Sequence, residues 1–91
     1  MEKVRAHIIV SGKVQGVGYR NNTFKQAKKI GVNGWVRNLG DGKVEAVFEG
    51  GKQEVEKIIN WAKKGPLFAN ISDFKIEWQE PKEEFKNFEI K

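Results

Sequence analysis

Arg20 ends the segment Gly12-Lys13-Val14-Gln15-Gly16-Val17-Gly18-Tyr19-Arg20, in which three glycines lead into one arginine. A glycine-rich turn between a strand and a helix points several backbone N–H groups into one concavity. The helix that follows adds the positive end of its dipole, and the combination suits an anion, phosphate above all. Glycines let the backbone approach the ligand and adopt positive φ at little cost. The segment has no Gly-Lys-Ser/Thr at Walker spacing and is not the GxGxxG of a nucleotide-binding βαβ unit. Arg20 at the helix start opposes the dipole, a poor position unless a bound anion compensates both. Its planar fork takes two phosphate oxygens at once, which a lysine ammonium does not. On residue types alone, a plain turn followed by a solvent-facing arginine is the other reading.

Asn38 is the second candidate, just before Gly40-Asp41-Gly42. An asparagine there is an ordinary turn former. It gains interest if its strand ends at the same edge of a sheet as the glycine loop.

The elements that would position these residues follow from periodicity. Val4, Ala6, Ile8 and Val10 alternate along a strand over residues 4–11, and residues 12–19 form a loop. A helix is predicted from about Asn21 to Ile30, with Asn21, Asn22 and Thr23 as N-terminal residues and Gly31 as the stop. Residues 32–39 and 43–49 are predicted strands joined by a tight hairpin, and Gly50-Gly51 ends the second. Val55, Ile58, Ile59 and Ala62 make the apolar stripe of a helix over residues 52–63, stopped by Gly65-Pro66. Phe74, Ile76 and Trp78 alternate with Asp73, Lys75 and Glu77 in a fourth strand over residues 71–78, and Phe88-Glu89-Ile90 is a short terminal strand. The order β-α-β-β-α-β predicts an α+β, ferredoxin-like split βαβ sandwich: a four-stranded antiparallel sheet with two helices on one face, plus an edge piece. In that order the first two strands of the βαβ unit end at one edge, with the loop. The fold hosts many functions and selects none.

Length and composition bound the rest. Ninety-one residues make one domain, 1–91, with a thin core. With no cysteine there is no disulfide, thiolate nucleophile or Cys-ligated zinc, and a single histidine, His7, excludes a His-rich metal site. No apolar run reaches a membrane span or a signal peptide, so a cytoplasmic location is expected. The formal charge of +5 favours anionic partners, but the lysines are scattered and cluster only as Lys28-Lys29 and Lys63-Lys64. His7 is expected to be a structural or surface residue, and Trp35, Trp61 and Trp78 to be packing residues.

The chain resembles the acylphosphatase family over nearly its whole length. One family signature, G-x-V-Q-G-V-x-[FY]-R, is present as Gly12 to Arg20. Another is present as Gly34-Trp35-Val36-Arg37-Asn38, followed by Asp41-Gly42-Lys43-Val44-Glu45 and Gly50. Gly65-Pro66 with Ala69, and Phe88-Glu89-Ile90, are also similar to the family. The resemblance implies a hydrolase of acid anhydrides that splits acyl phosphates, small-molecule substrates, into carboxylate and inorganic phosphate. It implies that Arg20 and the backbone N–H groups of Gln15, Gly16, Val17, Gly18 and Tyr19 bind the phosphoryl group, and that Asn38 orients the attacking water. No metal or cofactor is expected, since an acyl phosphate carries a good leaving group and phosphoryl transfer needs mainly positioning and charge stabilisation. Gly40 departs from the proline of many relatives, which should loosen the hairpin. In some relatives the terminal carboxylate pairs with the arginine, and the sequence leaves open whether Lys91 does so.

Two other functions are compatible with the fold. An RNA-binding module would need the K/R-G-F/Y-G/A-F-V-x-F/Y segment, which is absent. Trp35 and Phe48 could stack bases, yet Phe48 shares its face with Val44 and Ala46 and is expected in the core. No nucleic-acid or membrane partner is expected. A carbamoyl-phosphate-handling module, as found within larger proteins, is the other alternative, and the chain length favours the simple hydrolase. The oligomeric state is left open by the sequence.

Overall fold

The structure is a computed structural model that describes residues 2–91. The elements are β1 (Lys3–Lys13), α1 (Tyr19–Ile30), β2 (Asn33–Asn38), β3 (Val44–Gly51), α2 (Lys52–Lys64), β4 (Asn70–Gln79) and β5 (Phe88–Ile90). The strands form one sheet in the order β4-β1-β3-β2-β5. The first four pair antiparallel, as expected, but β5 joins β2 in parallel and makes the sheet five-stranded and mixed. β1 and β2 both run antiparallel to β3, so they are parallel to each other and end at the same edge.

Side chains alternate across the sheet. Ala6, Ile8 and Val10 of β1, Val36 of β2 and Val44, Ala46 and Phe48 of β3 pack with Ala27 of α1 and with Val55, Ile58, Ile59 and Ala62 of α2. Phe88 of β5 stacks on Phe48 with ring centroids 5.7 Å apart. The glycines at 50 and 51 do not break β3, which runs through Gly51 directly into α2. β4 corrects one expectation. Phe74, Ile76 and Trp78 do share the helix-side face, opposite Val10, Ile8 and Ala6, but Trp78 is 52% exposed and Ile76 37%. Trp78 is therefore not a packing residue: β4 is an edge strand, and α2 packs chiefly against its neighbours.

The other face carries polar residues. His7 Nε2 lies 2.7 Å from Glu45 Oε2, and Arg37 Nε donates to Glu45 Oε1 at 2.6 Å. Residues 80–87 cross this face from β4 to β5. Arg5 Nη1 donates to Glu84 Oε1 at 2.7 Å and its guanidinium lies over the Phe85 ring, while the Lys82 N–H donates to Glu49 Oε2 at 2.7 Å. Among the described residues no helix is long and apolar enough to cross a membrane.

Candidate active site

α1 starts at Tyr19, two residues before the expected position, because Gly18 rather than an asparagine is its N-cap. Gly18 has φ of 79° and Gly16 of 75°, left-handed values that a side chain would strain. A Cβ on Gly16 would meet nothing within 4 Å, so packing does not require glycine there; the turn leaves that backbone open to a ligand. Asn22 and Thr23 do not cap the helix. Their side chains bond back to the carbonyls of Gly18 and Tyr19, at 2.8 and 2.7 Å. No side chain caps the N-terminus and no acidic residue occupies its first turn. The leading N–H groups of a helix have no intrahelical acceptors, so this end stays electropositive, with Arg20 beside it.

The scaffold beneath is firm. Tyr19 is buried, its hydroxyl donating to the Ala62 carbonyl at 2.7 Å, and its ring lies 5.7 Å from that of Trp61. Burial pushes its phenol well above the ordinary tyrosine range, so it stays protonated and acts as a fixed post between the helices. Gln15 reaches across to the β2–β3 hairpin. Its Nε2 donates to the carbonyls of Leu39 and Lys43, at 2.8 and 2.9 Å. These two bonds set the spacing between the glycine loop and the end of β2. The hairpin itself is closed, with the Leu39 N–H donating to the Lys43 carbonyl at 2.8 Å, despite glycine at position 40.

A cavity of about 280 Å³ lies between loop and hairpin. Gln15, Gly16, Gly18, Tyr19, Arg20 and Asn38, all predicted site residues, line it together. Val17 does not: its side chain packs against the core, which leaves its backbone as the part available to a ligand. Val14, Asn21 and Ile90 also line the cavity and were not foreseen as site residues. Ile90 arrives because β5 pairs Ile90 with Val36, two positions before Asn38. The Lys91 N–H donates to the Val36 carbonyl at 2.9 Å and its ammonium lies over Trp35, while among the described residues Arg20 forms no ion pair. His7 lies on the opposite face of the sheet, in the pair with Glu45. Among the described residues no group of three His, Asp or Glu side chains is arranged to hold a metal ion.

The arrangement brings a guanidinium, the uncapped first turn of α1 and a neutral amide to one small cavity. The acylphosphatase family profile matches residues 6–90. An acylphosphatase of Pelotomaculum thermopropionicum is 50% identical over 90 residues, covering 99% of this chain and 98% of that one. The crystal structure of the Bacillus subtilis acylphosphatase superposes with a TM-score of 0.91 at 33% identity, over 96% of this chain and 97% of that one. Full-length HypF, in a phosphate- and nucleotide-bound form, matches with a TM-score of 0.84 at 27% identity, but this chain covers only 12% of it. An uncapped, glycine-built helix start with an arginine across from an asparagine therefore sits in a chain whose sequence and fold follow one family from end to end: it belongs to the acylphosphatases, hydrolases of the carboxyl–phosphate anhydride.

Proposed function

We propose that hydrolysis proceeds by direct attack of water on phosphorus, with Arg20 and the backbone N–H groups of Gln15, Gly16, Val17, Gly18 and Tyr19 holding the phosphoryl oxygens and Asn38 orienting the water. The water oxygen bonds to phosphorus as the bond from phosphorus to the acyl oxygen breaks. The products are the carboxylate, inorganic phosphate and the proton lost by water. The carboxylate is a weak base and leaves without protonation, so no general acid is needed. Negative charge spread over the phosphoryl oxygens in the transition state meets the guanidinium and fixed backbone dipoles, which need no reorganisation. Asn38 takes no proton at neutral pH; its carbonyl oxygen accepts a hydrogen bond from the water and holds it in line.

The observation that carries this reading is that Arg20 and Asn38, 18 positions apart in sequence, line one cavity with the uncapped first turn of α1. On this reading the enzyme works without metal or cofactor, as a single domain spanning 1–91, in the cytoplasm and with no nucleic-acid or membrane partner.

The test is benzoyl phosphate hydrolysis by wild type, Arg20→Ala and Asn38→Ala. Arg20→Ala should raise KM and weaken inhibition by inorganic phosphate, and lower kcat by roughly 100- to 1,000-fold. Asn38→Ala should lower kcat by a similar factor while phosphate still inhibits at the wild-type concentration. Full activity in Asn38→Ala would remove the water-positioning role. A phosphoryl-enzyme trapped by mass spectrometry would rule out direct attack.

A further inference from the structure

The glycine loop and the β2–β3 hairpin extend from strands that part before the cavity. β1 pairs with β3 as far as Val10, opposite Val44, and then continues with β4 alone as far as Lys13, opposite Asn70. β2 pairs with β3 up to Asn38, also opposite Val44. Beyond that row no ladder joins loop to hairpin, and the cavity opens in the gap. The Gln15 carboxamide spans it, with Nε2 donating to the Leu39 and Lys43 carbonyls at 2.8 and 2.9 Å. Among the described residues no other hydrogen bond joins residues 14–18 to residues 39–43. The hairpin tip has little else to hold it. Gly40, Asp41 and Gly42 are exposed. The remaining bonds there are internal to the turn: Gly42 N–H to the Leu39 carbonyl at 3.3 Å, Lys43 N–H to Asp41 Oδ1 at 3.2 Å, and the closing Leu39–Lys43 bond. Both partners of Gln15 are carbonyl oxygens, so both N–H bonds of its amide are committed and its orientation is fixed. Val14, 1% exposed, pins the backbone just before it.

We propose that Gln15 is a positioning residue, whose side chain holds Asn38 at working distance from the bound phosphoryl group. The role rests on the water-orienting reading of Asn38. On that reading one residue serves both partners of the reaction. Its backbone N–H faces the phosphoryl oxygens and its side chain carries the hairpin, so loop and Asn38 keep one spacing. Without the bridge the hairpin shifts against the loop, and a displacement of about 1 Å from the line of attack can cost on the order of 100-fold in rate. Arg20 and the loop backbone are untouched by that shift, so the loss falls on kcat and not on phosphate binding. Methionine at position 15 has similar length and makes neither bond. Glutamate, when ionised, offers acceptors only.

The experiment is benzoyl phosphate hydrolysis, with inhibition by inorganic phosphate, on wild type, Gln15→Met, Gln15→Glu, Asn38→Ala and the Gln15→Met/Asn38→Ala double variant. Gln15→Met should lower kcat about 10- to 100-fold while KM and phosphate inhibition stay within about twofold of wild type. Retained phosphate inhibition also shows that the loop is folded. Gln15→Glu should lose at least as much kcat, and its negative charge should weaken phosphate inhibition as well. The double variant separates positioning from general support. Gln15 acts through Asn38, so the double variant should be no slower than Asn38→Ala alone, whereas a merely structural role would multiply the two losses. Wild-type kcat in Gln15→Met or Gln15→Glu, a Gln15→Met loss confined to KM and phosphate inhibition, or multiplied losses in the double variant each overturns the proposal. Full activity in Asn38→Ala overturns the water-orienting reading and the role of Gln15 with it. A slow Asn38→Ala with multiplied losses overturns the role of Gln15 alone.

Discussion

Glu45 is held by two side chains at once, His7 and Arg37, on the face of the sheet away from the helices. Desolvation alone would raise its pKa, but hydrogen bonds and charge from His7 and Arg37 outweigh it, and the carboxyl is held below the ordinary glutamate range. A carboxyl depressed in the folded state stabilises above its unfolded pKa, and that contribution is lost as pH falls through the folded value. Stability should therefore hold near neutrality and decline on acidification below about pH 4.3, the unfolded reference. The decline should be shallower in Glu45→Gln, which binds no proton there. Urea denaturation of both proteins between neutral pH and pH 3 checks this; equal slopes would mean Glu45 is not depressed. The same ion pair anchors Arg37, the neighbour of Asn38, so a purely structural pair lies one residue from the proposed water-positioning group.

At the scale of elements, α2 was the most legible part. Its stripe of Val55, Ile58, Ile59 and Ala62 is fully or almost fully buried, because helical period and core contact coincide there. Ile58→Ala should cost about 2–5 kcal/mol, the range for truncating a fully buried branched side chain; guanidinium denaturation measures it, and a loss below 1 kcal/mol would mean that the layer collapses around the void. β4 was half legible. Alternation told which residues share a face, but not which strands the helices cover, so Trp78 was expected inside and is found outside. The start of α1 was misplaced because Asn21, Asn22 and Thr23 have the composition of a cap, whereas Asn22 and Thr23 bond back to residues four earlier in the helix. The site was legible where one local motif carried it, in the loop and Arg20. Asn38 reaches the same cavity through topology, which brings the ends of β1 and β2 to one edge. Ile90 was hidden, because a three-residue strand carries too little periodicity to reveal a parallel partner more than 50 positions away.

For the molecule as a whole, the +5 charge matters less than where its cations are held. The lysines are dispersed, and Arg5 is the cation that closes the structure. It is 8% exposed and faces Glu49, 4% exposed, while also reaching Glu84 and Phe85 in the segment that carries the chain from one sheet edge to the other. Arg5→Met would leave the Glu49 carboxylate buried with the Lys82 N–H as its remaining donor. The expected cost is about 3–5 kcal/mol, read by thermal denaturation, with the C-terminal segment becoming the first site of proteolysis. A variant as stable as wild type would show that the segment is held by Phe85 packing alone.

The ladders of β1 also govern how the chain finds its fold. Arg5 pairs with Glu49 on one side and with Gln79 on the other, and Val10 with Val44 and Phe74. β1 thus has no partner nearby in sequence, and the β2–β3 hairpin and the two helices are the pieces able to form by local contacts alone. The entropy of closing a long loop must be spent before β1 gains a ladder on either side. The strand that leads into the glycine loop is therefore expected to be fixed late, and the concavity with it.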